Sequence, residues 1–142
     1  MRDDGHAAVE LALAVATLLL PVALVVLSFG PWSERRVLAE AAAAESARAV
    51  VLELDHSAGN EVVTRMTTAF GLDGTQVRVG WCDSAPSGGG DVSGSCPLIR
   101  GSVVESTVQV WTPLVTTPWG PVGGLWVTGE HSEPIDLYRS LP

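Results

Sequence analysis

The chain has 142 residues and a formal net charge of −8, and all its basic residues are arginine. Beyond His56, eight acidic residues stand against four arginines. That balance excludes recognition of a nucleic-acid backbone or adhesion to anionic headgroups, both of which need basic surface.

Met1–Gly5 is a short polar leader, with one arginine against two aspartates. It precedes a long apolar segment, residues 6–30, in which nothing from Leu11 to Gly30 carries a charge. A stretch of this length can span a bilayer. It does not read as a cleaved secretory signal, because the leader is acidic, the apolar run is too long and no small-residue cleavage site follows it. Glu10 sits near the start of the segment. A carboxylate there is costly to bury, by up to about 3 kcal/mol at the bilayer centre, so it calls for a partner.

Pro21 is expected to kink this stem helix, because proline lacks an amide donor and clashes with the preceding turn. Pro31 is expected to end or bend it. Ser33 is then placed to cap a second helix, about Glu34 to Leu54, with Glu34 at its positive end. That helix carries seven alanines, from Ala39 to Ala49, which suit both helix propensity and close approach of another helix. Arg36 with Glu40 and Glu45 with Arg48 are spaced for local ion pairs.

Gly5 before His6-Ala-Ala-Val-Glu10 and a long apolar helix resembles the processing site and stem of type IV pilins. With Glu45-Ser-Ala-Arg-Ala49 in the second helix, residues 5–55 resemble the TadE-like minor pseudopilins of tight-adherence (Flp) pilus systems. The resemblance implies cleavage after Gly5 by a prepilin peptidase, His6 as the new N-terminus and Glu10 as an assembly residue. It also implies other pilin subunits and an inner-membrane assembly platform as partners. A freed amine at His6 and the Glu10 carboxylate can neutralise each other within or between subunits. Three departures stand beside the match: His6 as first residue, no aromatic after Glu10, and the acidic leader.

After a break at residues 56–60, residues 61–70 read as a short amphipathic helix, with Val62, Met66 and Phe70 on one face. Val77, Val79 and Trp81 alternate with polar or small residues, as do Val104, Ser106, Val108 and Val110. A third strand is expected from Gly124 through Thr128 and the tail beyond. Thr112 to Gly124 reads as an apolar Pro/Gly loop, either folded back over the sheet or lying on a membrane or partner with Trp119 as anchor. Cys82 and Cys96 flank a Gly/Ser-rich loop. One disulfide there suits an exported domain and contributes about 3 kcal/mol.

The expectation is an α+β protein: leader 1–5, transmembrane stem 6–30, second stem helix 31–55 and an exported head 56–142 with a small antiparallel sheet. Arg35 and Arg36 after the stem favour a cytoplasmic side, whereas the disulfide favours an outside head, and the disulfide carries more weight. His6, His56 and His131 stand apart, and no catalytic, metal or cofactor motif occurs. The expected role is therefore structural. The alternative is a membrane-anchored extracytoplasmic binding module.

Overall fold

Alanine on one helix face and valine on alternate strand positions meet in an α+β arrangement. The computed structural model describes residues 6–82, 85–88, 96–117 and 119–138. In chain order these form α1 (His6–Glu53), α2 (His56–Ala69), β1 (Val77–Trp81), β2 (Ser87–Gly88), β3 (Val103–Thr117) and β4 (Gly120–Pro134). The strands make one antiparallel sheet in the order β2-β1-β3-β4.

α1 is a single helix of 48 residues with Pro21 and Pro31 inside it, about 72 Å long. The expected separation into a stem helix and a second helix is therefore not seen. Each proline removes one ladder bond, and the ladder resumes beyond it, with leucine and alanine around Pro21 and the alanine-rich turns from Ala39 after Pro31 favouring helix. Ser33 is not a cap. Its hydroxyl donates to the Gly30 carbonyl within the helix, at 2.9 Å.

Among the described residues no helix is long and apolar enough to cross a membrane. The side chains of Leu24, Leu27 and Ser28 lie outside the described set.

The second half of α1 supplies the core. Leu38, Ala39, Ala42, Ala43, Ser46, Ala47 and Val50 are buried, following the 3.6-residue period. On β3, Val104, Ser106, Val108 and Val110 are fully buried, so the period-two reading of this strand holds. Val104 shares a cluster with Val50, Ser106 bonds Ser46, and Val108 and Val110 cluster with Leu38 and Ala39. β3 therefore runs antiparallel to α1. A Cβ at Gly129 of β4 would overlap the Ala39 carbonyl and the Glu40 nitrogen. Only a bare backbone fits that crossing.

α2 begins at His56, five residues earlier than expected. Asp55 caps it by accepting from the Ser57 N–H at 2.9 Å, and Leu54 takes a positive φ of 56° to turn the chain between the helices. Gly59 lies inside α2 rather than in a break. A Cβ there would meet the Trp81 ring and Val50 at 2.5–2.8 Å, so the glycine makes room for the largest fully buried side chain.

The expected loop from Thr112 to Gly124 is instead a ribbon. β3 and β4 pair from Val103↔Pro134 to Thr117↔Gly120, well beyond the part of β3 that β1 covers, which ends at Val110. β-Branched and aromatic residues on either side, Val110, Trp111 and Thr112 before and Val115, Thr116 and Thr117 after, carry strand propensity past Pro113. On this protruding arm β1 does not pair with β3, so the missing amide of Pro113 leaves no bond to β1 unmade.

Gly59→Ala is expected to destabilise the protein by about 1–3 kcal/mol through overpacking against Trp81. Gly74→Ala, where a Cβ meets open space, is expected to stay within about 0.5 kcal/mol. Chemical denaturation of the two variants checks this, and equal stabilities would refute the tight fit.

Candidate functional site

The first half of α1 places apolar side chains all around its axis. Val9, Leu11, Leu13, Leu18, Leu20, Val25, Val26 and Phe29 are all well over half exposed. A helix apolar on every side is suited to lipid or to a bundle of like helices rather than to water. Glu10 sits among them, exposed, and neither ion pair of the described residues includes it. His6 opens α1, its side chain outside the described residues. Gly5 lies outside the described residues altogether, so the expected cut is not positioned by the structure.

Just beyond this stretch the surface changes character. Phe29 and Trp32 pack ring to ring with centroids 5.6 Å apart. The Arg36 guanidinium lies 5.7 Å from the Trp32 ring centre and pairs with Glu40 at 2.9 Å. This is the expected i,i+4 pair. Both partners are more than half exposed, so it adds only a few tenths of a kcal/mol. Nη1 of neighbouring Arg35 is buried without a hydrogen-bond partner among the described residues, as is Oγ1 of Thr112.

The Glu45-to-Ala49 element divides between two faces. Ser46 and Ala47 are buried against the sheet, with Ser46 Oγ 2.8 Å from Ser106 Oγ. Glu45 and Arg48 point away and line a shallow groove between α1 and α2 with Leu52, Val62, Arg65 and Met66. The expected Glu45–Arg48 ion pair is not among those formed by the described residues.

At the far end of the head, Cys82 and Cys96 form the expected disulfide, their Cα atoms 5.6 Å apart. Ser87 and Gly88 inside the loop it closes pair with Val79 and Arg78 of β1, so part of what read as a flexible Gly/Ser linker is strand. His56 joins this region. Its Nε2 accepts from the Cys96 N–H at 3.2 Å, and its ring meets the Trp81 ring edge-on at 5.5 Å. A nitrogen that accepts must be unprotonated. Burial lowers the His56 pKa, against a smaller opposing effect of Asp55. Sequence spacing did not reveal this role, because residues 56 and 96 meet only through the fold.

On the outer sheet face, Trp111 and Trp126 are cross-strand neighbours. The Arg78 guanidinium stacks 3.9 Å from the Trp126 ring centre, a cation–π contact. The ribbon beyond them exposes Leu114, Val122 and, at its tip, Trp119, which is 93% exposed. His131, read as isolated, lies 3.3 Å from Glu133.

Comparison with known protein families, with curated proteins and with solved structures finds no match.

The His56 contact gives a pH signature. Its pKa in the fold lies below the ordinary 6.5, so the unfolded chain binds more protons at mildly acid pH. Stability is full above about 6.5 and falls as the pH drops from there through the folded-state pKa. Asp55 also has a lowered pKa, mainly through the Ser57 hydroxyl, but it acts only near and below its ordinary 3.8. Thermal melts between about pH 7.5 and 5.5 are expected to show a falling Tm. His56→Gln, which keeps a neutral acceptor, is expected to flatten that slope, and an unchanged slope would contradict the assignment.

Proposed function

We propose that the chain is a TadE-like minor pseudopilin, a structural component for assembly of a tight-adherence pilus or a related secretion machine. The observation that supports this most is the division of α1. Its first half is exposed and apolar with Glu10 its only carboxylate up to Glu34, while its second half is built into an antiparallel sheet. A subunit of this shape offers a stem to its neighbours and a head to the outside.

In this reading the stem lies in the membrane before assembly. The uncharged sequence from Leu11 to Gly30 runs twenty residues, about 30 Å of helix and so a bilayer's hydrocarbon thickness. The head is extracytoplasmic, which suits a disulfide. Cleavage after Gly5 by a prepilin peptidase frees the amine of His6, and Glu10 neutralises that amine within or between subunits. Neither charge is then left alone in an apolar bundle. The chemistry is assembly rather than catalysis, with other pilin or pseudopilin subunits and a membrane platform as partners.

Mass spectrometry of the protein recovered from membranes is expected to find His6 as the first residue. An intact Met1 in cells with an active prepilin peptidase would remove processing from the reading. Glu10→Leu strands the amine, a loss of about 3 kcal/mol. Co-purification with partner subunits is then expected to drop on the order of a hundredfold. Undiminished recovery would favour an anchor carrying a simple binding module.

A further inference from the structure

The ribbon formed by the outer halves of β3 and β4 is uncharged from Ser106 to Gly129, bracketed by Glu105 and Glu130 at its base. An acidic chain that keeps twenty-four consecutive residues free of charge has set that segment apart from the rest of its surface. Its core-facing side chains end at Thr112 on β3 and begin again at Val127 on β4, and the part between them is outside the core. Leu114 and Val122 are half exposed or more, and Trp119 at the turn is almost wholly exposed.

The direction of the ribbon gives this surface its meaning. β3 runs antiparallel to α1, so from Val108, whose partner Gly129 crosses α1 at Ala39, the ribbon heads toward the N-terminal half of the helix. The nine steps from Val108 to Thr117 cover roughly 30 Å of strand. Ala39 to Gly30 is only about 13 Å of helix. The ribbon is thus more than long enough to reach the level of Phe29 and Trp32, where the apolar stem gives way to Arg35 and Arg36. Aromatic rings and arginines at the end of an apolar helix mark the level of a membrane–water interface.

We infer that the ribbon tip is a second membrane contact, with Trp119, Leu114 and Val122 entering the interfacial layer of the bilayer that holds the stem. The inference rests on the membrane placement of the stem in the proposed function. The lipid it suits is zwitterionic. The ribbon has no basic residue to draw anionic headgroups, and the acids at its base are repelled by them. Indole rings favour the headgroup level, where their apolar body and N–H are both accommodated. Two contacts fix the head's tilt and rotation over the bilayer, which a single helix does not.

The full chain reconstituted in phosphatidylcholine vesicles tests this. Its two native cysteines are paired, so Val122→Cys, Leu18→Cys and Thr128→Cys each carry one environment-sensitive fluorophore. The expected result is a blue-shifted emission at 122, quenched by lipids brominated near the headgroup. A deeper signal is expected at 18 and an aqueous one at 128, on the exposed base of the ribbon. Adding Trp119→Glu is expected to return the label at 122 to an aqueous spectrum. An aqueous label at 122 beside a buried one at 18 would overturn the ribbon contact and leave the stem reading standing. Aqueous labels at both would overturn both, and a signal at 122 without one at 18 would support the ribbon and overturn the stem. Shielding at 122 that disappears as protein is diluted into excess lipid would overturn the lipid contact in favour of a neighbouring copy.

Discussion

The close packing of α1 on the sheet is the constraint from which the rest of the architecture follows. Four alanines, Ala39, Ala42, Ala43 and Ala47, are fully buried, and the backbone of Gly129 crosses the Ala39–Glu40 backbone with no room for a side chain. Small residues on both sides let helix and strand approach until their main chains nearly touch. Dispersion contacts are then many and the interface admits little sliding. The Ser46–Ser106 hydrogen bond helps fix the register along it: Ser46 also bonds the Ala43 carbonyl of its own helix, but a shift would take this partner from the buried Ser106 hydroxyl.

One consequence is that the stem and the head are not separate modules joined by a linker. Leu38, Ala42 and Val50 belong to the same clusters as Val63, Val108 and Trp81, so the head's core does not close without the second half of α1. A load applied to the exposed first half passes through a continuous helix into the sheet. At the other end of the head the demands are different. There a tryptophan, a glycine, a histidine and a disulfide are fitted together, and Trp81 reaches Asn60 through its indole N–H at 3.3 Å. That end is held by shape and covalent closure, whereas the α1–sheet interface is held by closeness.

Much of this was legible in the sequence, for identifiable reasons. The strand periods at Val77–Trp81 and Val104–Val110 read correctly because each strand has one buried face, and a one-residue slip would invert every side chain. The cysteine pair read correctly because its spacing closes a short loop in a chain with no metal-ligand pattern. The helix boundaries did not read correctly. Proline and glycine are local stop signals, but Pro31 and Gly59 lie inside helices; for Gly59 the packing against Trp81 and Val50 outweighs local preference. The ribbon was missed for a related reason. Pro113, Pro121 and the glycines near them look like loop residues, yet a strand that protrudes beyond its neighbour tolerates proline. The signal that would have found it was the charge-free run from Ser106 to Gly129. Of the candidate site, the character of Glu10 was visible, while His56 was not, because its partner Cys96 lies forty residues away.

The two charge-free stretches of this acidic chain, Leu11–Gly30 and Ser106–Gly129, are far apart in sequence, yet the fold brings them to one end of the molecule. That coincidence follows from topology. β3 antiparallel to α1 sends any extension of the β3–β4 hairpin toward the stem, whereas a parallel arrangement would have sent it away. Arg35 lies one turn before Leu38 on α1, and Thr112 lies two residues beyond Val110 on β3. Both carry a buried polar atom without a partner among the described residues. They stand at the ends of the buried series on α1 and β3, the rim of the core on this side. On one side of that rim the protein buries its own apolar surface. On the other it leaves apolar surface exposed on two separate elements that point the same way. Exposed apolar surface of this kind marks an interaction site, and the proposed stem and ribbon contacts would both be made at that end.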